Sequence, residues 1–517
     1  MSVMVRIHEL LDQWLVKAAD RPFIYLPGSG PASTLSFGDL GRLADVAEAS
    51  LKASSVRAGD RVLVVAENCP EHAALIIACS RIGAWSCGVN ARMSSAEVDA
   101  FVRKSDARVI FFTSGVSASA AAHAARWKGQ DSGIAGVQCS PVFEHAVAEE
   151  GALATDVAAI IFTSGTTGLP KGVMVTHQAL LHFARVSATS RALGPDDRSY
   201  AFVPMTHIFG MGTVLLASLY AGASLVMRPQ FEPDDLLDAL AHQGIPQLQG
   251  PPALFSRLLT HLQAQGIEHP VAAQLRYVYT GAGPLDLTLK QRVEAALGQT
   301  LHHGYALSEY AGSLHLTRRG EHRSDTSAGY VVDGAQLQVT NPATGQPVPC
   351  GERGELWMRG TGLMPGYFRD PQATAEAMRP GGWYASGDLG ILDADGALHV
   401  VGRLKEMIIR SGFNVYPAEV ETVLNAHPSI QRSAVVGRKE DDGNEEVIAF
   451  VEMRPGCQLD GDVLQTLQAY LREQLSPYKR PSRIVAVPEL PTSPNGKVLK
   501  RVLQEQVATD KPTHQEA

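Results

Sequence analysis

Residues 163–172, Thr-Ser-Gly-Thr-Thr-Gly-Leu-Pro-Lys-Gly, carry four hydroxyl side chains, three glycines and a lysine within ten positions. Thr163, Ser164, Thr166 and Thr167 offer O–H donors. Gly165, Gly168 and Gly172 let the backbone turn sharply and bring N–H groups up to a ligand, and Lys171 adds a movable positive charge. Such a set suits an anion, above all a polyphosphate. It is not a Walker loop. That motif runs Gly-x-x-x-x-Gly-Lys-Ser/Thr straight into a helix. Here Pro170 precedes the lysine, Gly172 follows it, and β-type residues come next.

The elements around the loop are those of an α/β protein. Apolar runs Val157–Phe162 and Gly172–Val175 flank it as strands. Upstream, Ile7, Leu10, Leu11, Trp14 and Leu15 recur at helical spacing, and Ser36 is an N-cap candidate. From Asp60 the pattern becomes βαβ: strands at 61–65, 85–89 and 109–112 alternate with helices at 70–83 and 94–105, which implies a largely parallel sheet with helices on its faces. Downstream, a helix is expected from His177 to about Leu193, then a β run from Phe202 that breaks into a His-containing turn by Met211. Residues 330–400 alternate short β runs with Gly and Pro turns and read as a small barrel-like subdomain. The last hundred or so residues read as a small α+β unit: a helix from Pro417, strands at 434–436 and 447–451, and a helix near 461–475.

Composition narrows the class further. A chain of 517 residues exceeds one compact core and implies at least two domains. Net charge is −8, the wrong sign for a nucleic-acid surface. The six cysteines show no zinc spacing and read as reduced thiols. There is no signal-peptide core and no apolar run long enough to cross a bilayer, so the expected setting is the cytoplasm without stable membrane insertion.

The 160–177 stretch resembles the phosphate loop of the adenylate-forming superfamily, which includes acyl-CoA synthetases, aryl-CoA ligases, luciferases and peptide-synthetase adenylation domains. Further segments extend the resemblance over nearly the whole chain. His303-Gly-Tyr-Ala-Leu-Ser-Glu309 resembles the segment whose tyrosine packs on adenine and whose glutamate holds Mg²⁺. Tyr305 offers a π-face, Glu309 a hard oxygen ligand, and Ser308 keeps a hydroxyl where the family usually has threonine. Gly281, Ala282 and Gly283 follow a strand, and the family places adenine and the acyl group beside that turn. Asp388 resembles the aspartate that accepts from both ribose hydroxyls, as two carboxylate oxygens allow. Arg403 would contact ribose or phosphate, Lys405 falls at the hinge position, and Ser411 and Gly412 lie in the segment that reaches the pantetheine channel. Lys497, after Pro494-Asn495-Gly496, stands where the family has its adenylation lysine.

The resemblance implies a large N-terminal AMP- and acyl-binding domain over residues 1–402 and a mobile C-terminal domain over 403–517. It implies ATP, Mg²⁺ and coenzyme A as reactants and cofactors, and it is compatible with a homodimer. Catalytic roles fall on Lys497, Glu309, Thr163 and His207, the last as the gate of the carboxylate pocket. His207, Phe209, Met211, Gly212, Ala306 and Leu307 would line that pocket. They are apolar or aromatic and offer no cation for a second carboxylate, which points to an aryl or medium-chain monocarboxylic acid. The expected reaction is ATP + carboxylate + CoA → acyl-CoA + AMP + PPi. Other readings are a stand-alone enzyme that loads a carrier-protein phosphopantetheine, a luciferase-like oxygenase, and a nucleotide-binding regulator without catalysis.

Overall fold

The computed structural model describes residues 4–28, 33–163, 171–411, 413–440, 444–493 and 497–509. Two large sheets build the N-terminal part. In the seven-stranded sheet, Arg61–Ala66 lies between Trp85–Asn90 and Val109–Phe112, all parallel, and Trp85–Asn90 also pairs in parallel with Val157–Thr163. The antiparallel strand Lys171–Thr176 forms one edge. The nine-stranded sheet is parallel through its centre, where Arg198–Ala201, Gln247–Gly250, Tyr277–Thr280 and Leu301–Leu307 run side by side. Antiparallel strands close its two ends.

Alternation along one strand explains how these layers stack. Val62 and Val64 point into the main core that joins both sheets, while Leu63 and Val65 face a second core with Trp85 and Phe101. Helix Pro70–Ile82 lies in the main core and is buried from His72 to Ser80. Its ends match its sequence: Pro70 takes the first turn, and Gly83 caps the other end at φ +77, where a Cβ would also meet Ala58 at 3.2 Å. The cap expected at Ser36 is present as a reciprocal box, with Asp39 N donating to Ser36 Oγ and Ser36 N donating to Asp39 Oδ2.

One side chain in that helix makes stability pH-dependent. His72 is wholly buried, neither ring nitrogen has a partner among the described residues, and burial pushes its pKa down to about 4. An unfolded histidine titrates near 6.5, so between these values the unfolded chain binds a proton that the folded chain refuses. Its contribution is therefore intact above the unfolded value and fades as pH falls toward the folded one. His302, His303 and His315 are driven to about 4 by burial as well and add to the same slope. We expect His72→Leu to narrow the gap in urea midpoint between about pH 7.5 and about pH 5, its share being on the order of 1.4 kcal/mol per pH unit. An unchanged gap would remove His72 from the account.

Residues 335–403 form the five-stranded antiparallel half-barrel. The β run expected from Phe202 lies earlier, as strand Arg198–Ala201; the His-containing turn is present at 205–207, and Phe209–Leu216 is a π-helix, buried throughout. An apolar segment surrounded by core has no polar face, so its composition does not distinguish strand from helix.

After Arg403 the chain builds separate cores. The sheet of Ile430–Lys439, Glu445–Met453 and Arg483–Ala486 turns Val435, Val447 and Ala449 toward one apolar cluster, with Leu467 and Leu471 of helix Gly461–Gln474. It turns Ala434, Val436, Ile448 and Phe450 toward another, with Leu503 and Val507 of helix Lys500–Thr509. No helix among the described residues is long and apolar enough to cross a membrane.

Candidate active site

The Thr/Gly-rich loop sits on a β-hairpin. Val157–Thr163 and Lys171–Thr176 pair antiparallel, and Thr163 faces Lys171 where the loop departs. A strand follows Lys171, as expected when the Walker reading was set aside. Ser164, Gly165, Thr166, Thr167 and Gly168 lie outside the described residues. The hairpin is braced from across the chain by Gly366–Phe368: Phe368 N donates to Gly172 O at 2.7 Å, Met174 N donates to Gly366 O, and Tyr367 bridges Val173. Lys171 Nζ rests 4.5 Å from the centroid of the Tyr367 ring.

Glu309 also meets Tyr367, at the hydroxyl rather than the ring face. Strand Leu301–Leu307 ends in the tight turn Ser308–Tyr310, which holds Ser308 buried and Glu309 half-buried. Glu309 Oε1 accepts from Tyr367 Oη at 3.0 Å, and Glu309 O accepts from Met364 N at 2.9 Å. The Tyr367 hydroxyl also lies 3.1 Å from that of Tyr384. With the Tyr367 proton given to Glu309, Tyr384 must be the donor in that second bond. Burial, followed by Glu309, raises the pKa of both phenols.

The third group is built by register. Asp388 and Arg403 are direct partners on adjacent strands of the half-barrel. Arg403 Nε meets Asp388 Oδ1 at 2.9 Å, and Tyr305 Oη donates to Asp388 Oδ2 at 2.6 Å. Asp388 is only 4% exposed, and these two partners hold its oxygens as a fixed acceptor. Its charge holds the Arg403 pKa up, and burial with that same carboxylate raises the Tyr305 pKa.

Of the expected pocket residues, Phe209 packs on the strand that leads to the glycine turn, and His207 contacts Phe209. Strand Tyr277–Thr280 leads into Gly281, Ala282 and Gly283, with Ala282 in the left-handed region at φ +64. Phe209 packs edge-on against Tyr279, with centroids 5.9 Å apart. Ala306 and Leu307 are half-buried at the end of their strand. Met211 is fully buried, and Gly212 lies against the Phe183 ring, where a Cβ would come within 2.4 Å. His207 Nδ1 accepts from Phe209 N at 3.2 Å, so the proton of the neutral ring sits on Nε2. Burial, aided by the charge of Lys497, lowers the His207 pKa to about 4, and the ring is neutral at pH 7.

Lys497 therefore stands close to the N-terminal cleft, although it lies 94 positions beyond Arg403 in the chain (497 − 403). Ser493 N donates to Lys497 O at 2.8 Å and closes the hairpin that carries it, while Pro494, Asn495 and Gly496 lie outside the described residues. The side chain has open surface, but protein walls surround it. Partial desolvation and repulsion from Arg403 outweigh the pull of Asp388 and Glu406 and bring its pKa below the usual lysine value.

Lys405 is exposed on the short turn Leu404–Glu406, which follows Gly402 at φ +153. Ser411 is left-handed at φ +52 and donates from its N–H to Asn444 Oδ1. Gly412 lies outside the described residues. The neighbouring Phe413 is 54% exposed and stacks on Tyr478.

Four partners escaped the sequence reading: Tyr367, Tyr384, Glu406 and Lys500. The Lys500 ammonium reaches Glu406 at 3.0 Å and Glu421 at 2.8 Å. Burial alone would depress its pKa, but the two carboxylates raise it. The available signal was local: Lys500 follows Lys497 by three positions (500 − 497) and opens helix Lys500–Thr509.

With this geometry in view, the chain matches the family described as AMP-binding enzyme over residues 11–368 and that described as AMP-binding enzyme C-terminal domain over 419–497. The chain belongs to the AMP-binding enzyme family. It is 32% identical to a feruloyl-CoA synthase of Amycolatopsis sp over 90% of this chain and 93% of that protein. It is 30% identical to 4-coumarate–CoA ligase 5 of Oryza sativa subsp. japonica, over 98% of this chain and 95% of the relative. Among solved structures, ATP-bound MatB from Rhodopseudomonas palustris superposes with a TM-score of 0.83 at 28% identity, covering 98% of this chain and 99% of that one.

Proposed function

We propose that this enzyme joins a carboxylic acid to coenzyme A at the expense of ATP, as an AMP-forming acid–thiol ligase, and that its acid is an aromatic monocarboxylate. The observation that carries the reading is a cation far along the chain, Lys497, close enough to His207 and to the Arg403–Asp388 pair of the half-barrel for their charges to act on one another. In the first step a carboxylate oxygen attacks the α-phosphorus of ATP, the bond from that phosphorus to the β-phosphate bridge breaks, and pyrophosphate leaves. Both reactants are anions, so the site must supply positive charge and hold them in line. Lys497 would face the α-phosphate. Lys171, Thr163 and the 164–168 loop would hold the other phosphates. Asp388 would accept from the ribose hydroxyls with Arg403 beside it, and Tyr305, Ser308 and Gly281–Gly283 would border the adenylate.

Magnesium bound with a nucleotide takes one or two protein carboxylates and fills its remaining positions with phosphate and water oxygens. Glu309, a single hard carboxylate already oriented by Tyr367, fits that donor set. When bound, the ion supplies positive charge to the triphosphate.

In the second step the CoA sulfur attacks the acyl carbonyl, the bond to AMP breaks, and the thiol proton is released. We infer a hinge at Lys405 about which the chain beyond it turns, withdrawing Lys497 and bringing Ser411 and Gly412 to the thiol's path. The reaction would run in the cytoplasm, where the six thiols stay reduced.

The choice of acid rests on a neutral His207 and an aromatic Phe209 at the pocket, together with relatives named for feruloyl and 4-coumarate substrates. The test is pyrophosphate release with Mg-ATP across benzoates, cinnamates, fatty acids of graded length and malonate, each with and without CoA. We expect release with hydroxycinnamates or benzoates, accelerated by CoA. Release with malonate alone would overturn the aromatic reading, and release indifferent to CoA would overturn the thiol acceptor.

A further inference from the structure

We propose that Tyr367 is a positioning residue for adenylation: its hydroxyl aims the Glu309 carboxylate at the metal that accompanies ATP, and its ring seats the Lys171 ammonium toward the same triphosphate. The proposal rests on Glu309 being the metal ligand, and the experiment below separates the two claims.

Tyr367 has one side chain and two tasks. Its Oη donates to Glu309 Oε1 at 3.0 Å, which fixes the carboxylate's rotation. Tyr384 Oη, 3.1 Å away, feeds the chain of hydroxyls that ends on that carboxylate. A metal-ligating carboxylate is tuned by such a partner, and losing the partner typically weakens metal binding tenfold or more. On the other side, the Lys171 ammonium sits 4.5 Å from the ring centroid, so the π-face holds a cation that has no fixed direction of its own. The backbone shares the work. Gly366–Phe368 adds to the edge strand Lys171–Thr176, while Met364 N donates to Glu309 O. One five-residue stretch, 364–368, thus sets the distance between the loop's lysine and the carboxylate. Tyr367 is 5% exposed, and packing holds it in place before any nucleotide arrives.

The test is ATP binding to the full-length protein by calorimetry, first in EDTA and then with Mg²⁺ titrated in. We expect Tyr367→Phe to bind ATP like wild type in EDTA but to need about ten times more Mg²⁺ for the same tightening. Tyr367→Leu should also bind ATP a few-fold more weakly in EDTA, since it removes the ring beneath Lys171. Glu309→Gln should lose the Mg²⁺ response. If Glu309→Gln behaves so while Tyr367→Phe keeps the wild-type Mg²⁺ midpoint, the positioning role is wrong and the Glu309 reading stands. An unaltered Mg²⁺ response in Glu309→Gln would sink both. Equal weakening of Tyr367→Phe with and without Mg²⁺ would make Tyr367 a mere brace for the hairpin. Should Tyr367→Phe not fold, Tyr384→Phe carries the test. It withdraws the donor that fixes the Tyr367 proton, so a severalfold higher Mg²⁺ midpoint is expected and an unchanged one would overturn the proposal.

Discussion

Lys497→Ala is expected to slow acyl-adenylate formation by about 10²- to 10³-fold while leaving CoA transfer to supplied acyl-adenylate within a few-fold of wild type. The reason is where the charge develops. Negative charge gathers on the α-phosphate only while the carboxylate attacks, and Lys497 is the side chain from the C-terminal domain set beside the Arg403–Asp388 pair. A fixed cation there requires no reorganisation when the bond forms. In the second step the bonding electrons leave with the AMP phosphate, but on the proposed hinge motion Lys497 has been withdrawn before the thiol attacks, so that step does not draw on it. A pH signature goes with the prediction. Lys497 acts when protonated, and its pKa lies below the usual lysine value because of its walled position and the repulsion from Arg403. Adenylation should therefore be full below that lowered pKa and fall as pH rises through it, at a lower pH than an ordinary lysine would give. The alanine variant's residual rate should lack that falling limb. Equal losses in both half-reactions would show that Lys497 holds the fold rather than the phosphate.

The candidate site was legible in the sequence where one residue type does one job at a local motif. The hairpin carrying the loop announces itself by composition over a few positions, whereas the Tyr305–Glu309 turn and the Asp388 strand were legible only through their resemblance to segments of the adenylate-forming superfamily. The βαβ order was legible for a similar reason: Arg61–Ala66 alternates between two cores, and Pro70 and Gly83 bracket the helix that follows. The segment beginning at Phe202 was not, because Phe209–Leu216 is buried all round and so lacks the polar face that gives a helix its period. Tyr367 stayed hidden for another reason. Its partners lie 58 residues upstream at Glu309 and farther still at Lys171, and no local pattern records a contact made by folding. Lys500 shows the intermediate case: its spacing from Lys497 is local, but the carboxylates that give it meaning, Glu406 and Glu421, arrive from the turn Leu404–Glu406 and the next helix.

Asp388→Ala is expected to lower kcat/KM for ATP by about 10²- to 10⁴-fold, as the loss of two hydrogen bonds from ribose hydroxyls to a carboxylate, at roughly 1.5–3 kcal/mol each, would give. Two features of the site set this size. Asp388 is 4% exposed, so bulk water does not replace it as an acceptor. Its oxygens are already held by Tyr305 at 2.6 Å and Arg403 at 2.9 Å, so the carboxylate is oriented before ATP binds. Removing it also strands the Arg403 charge, which would add a stability cost, so the variant's thermal midpoint must be measured alongside. The sharper test changes the nucleotide instead of relying on the rate alone. Wild type should discriminate strongly against 2′,3′-dideoxy-ATP, whereas Asp388→Ala should treat ATP and the dideoxy nucleotide nearly alike, because the group that tells them apart is gone. If the variant still prefers ATP by the wild-type ratio, the ribose hydroxyls bind elsewhere, and Asp388 serves Tyr305 and Arg403 as an internal strut of the half-barrel.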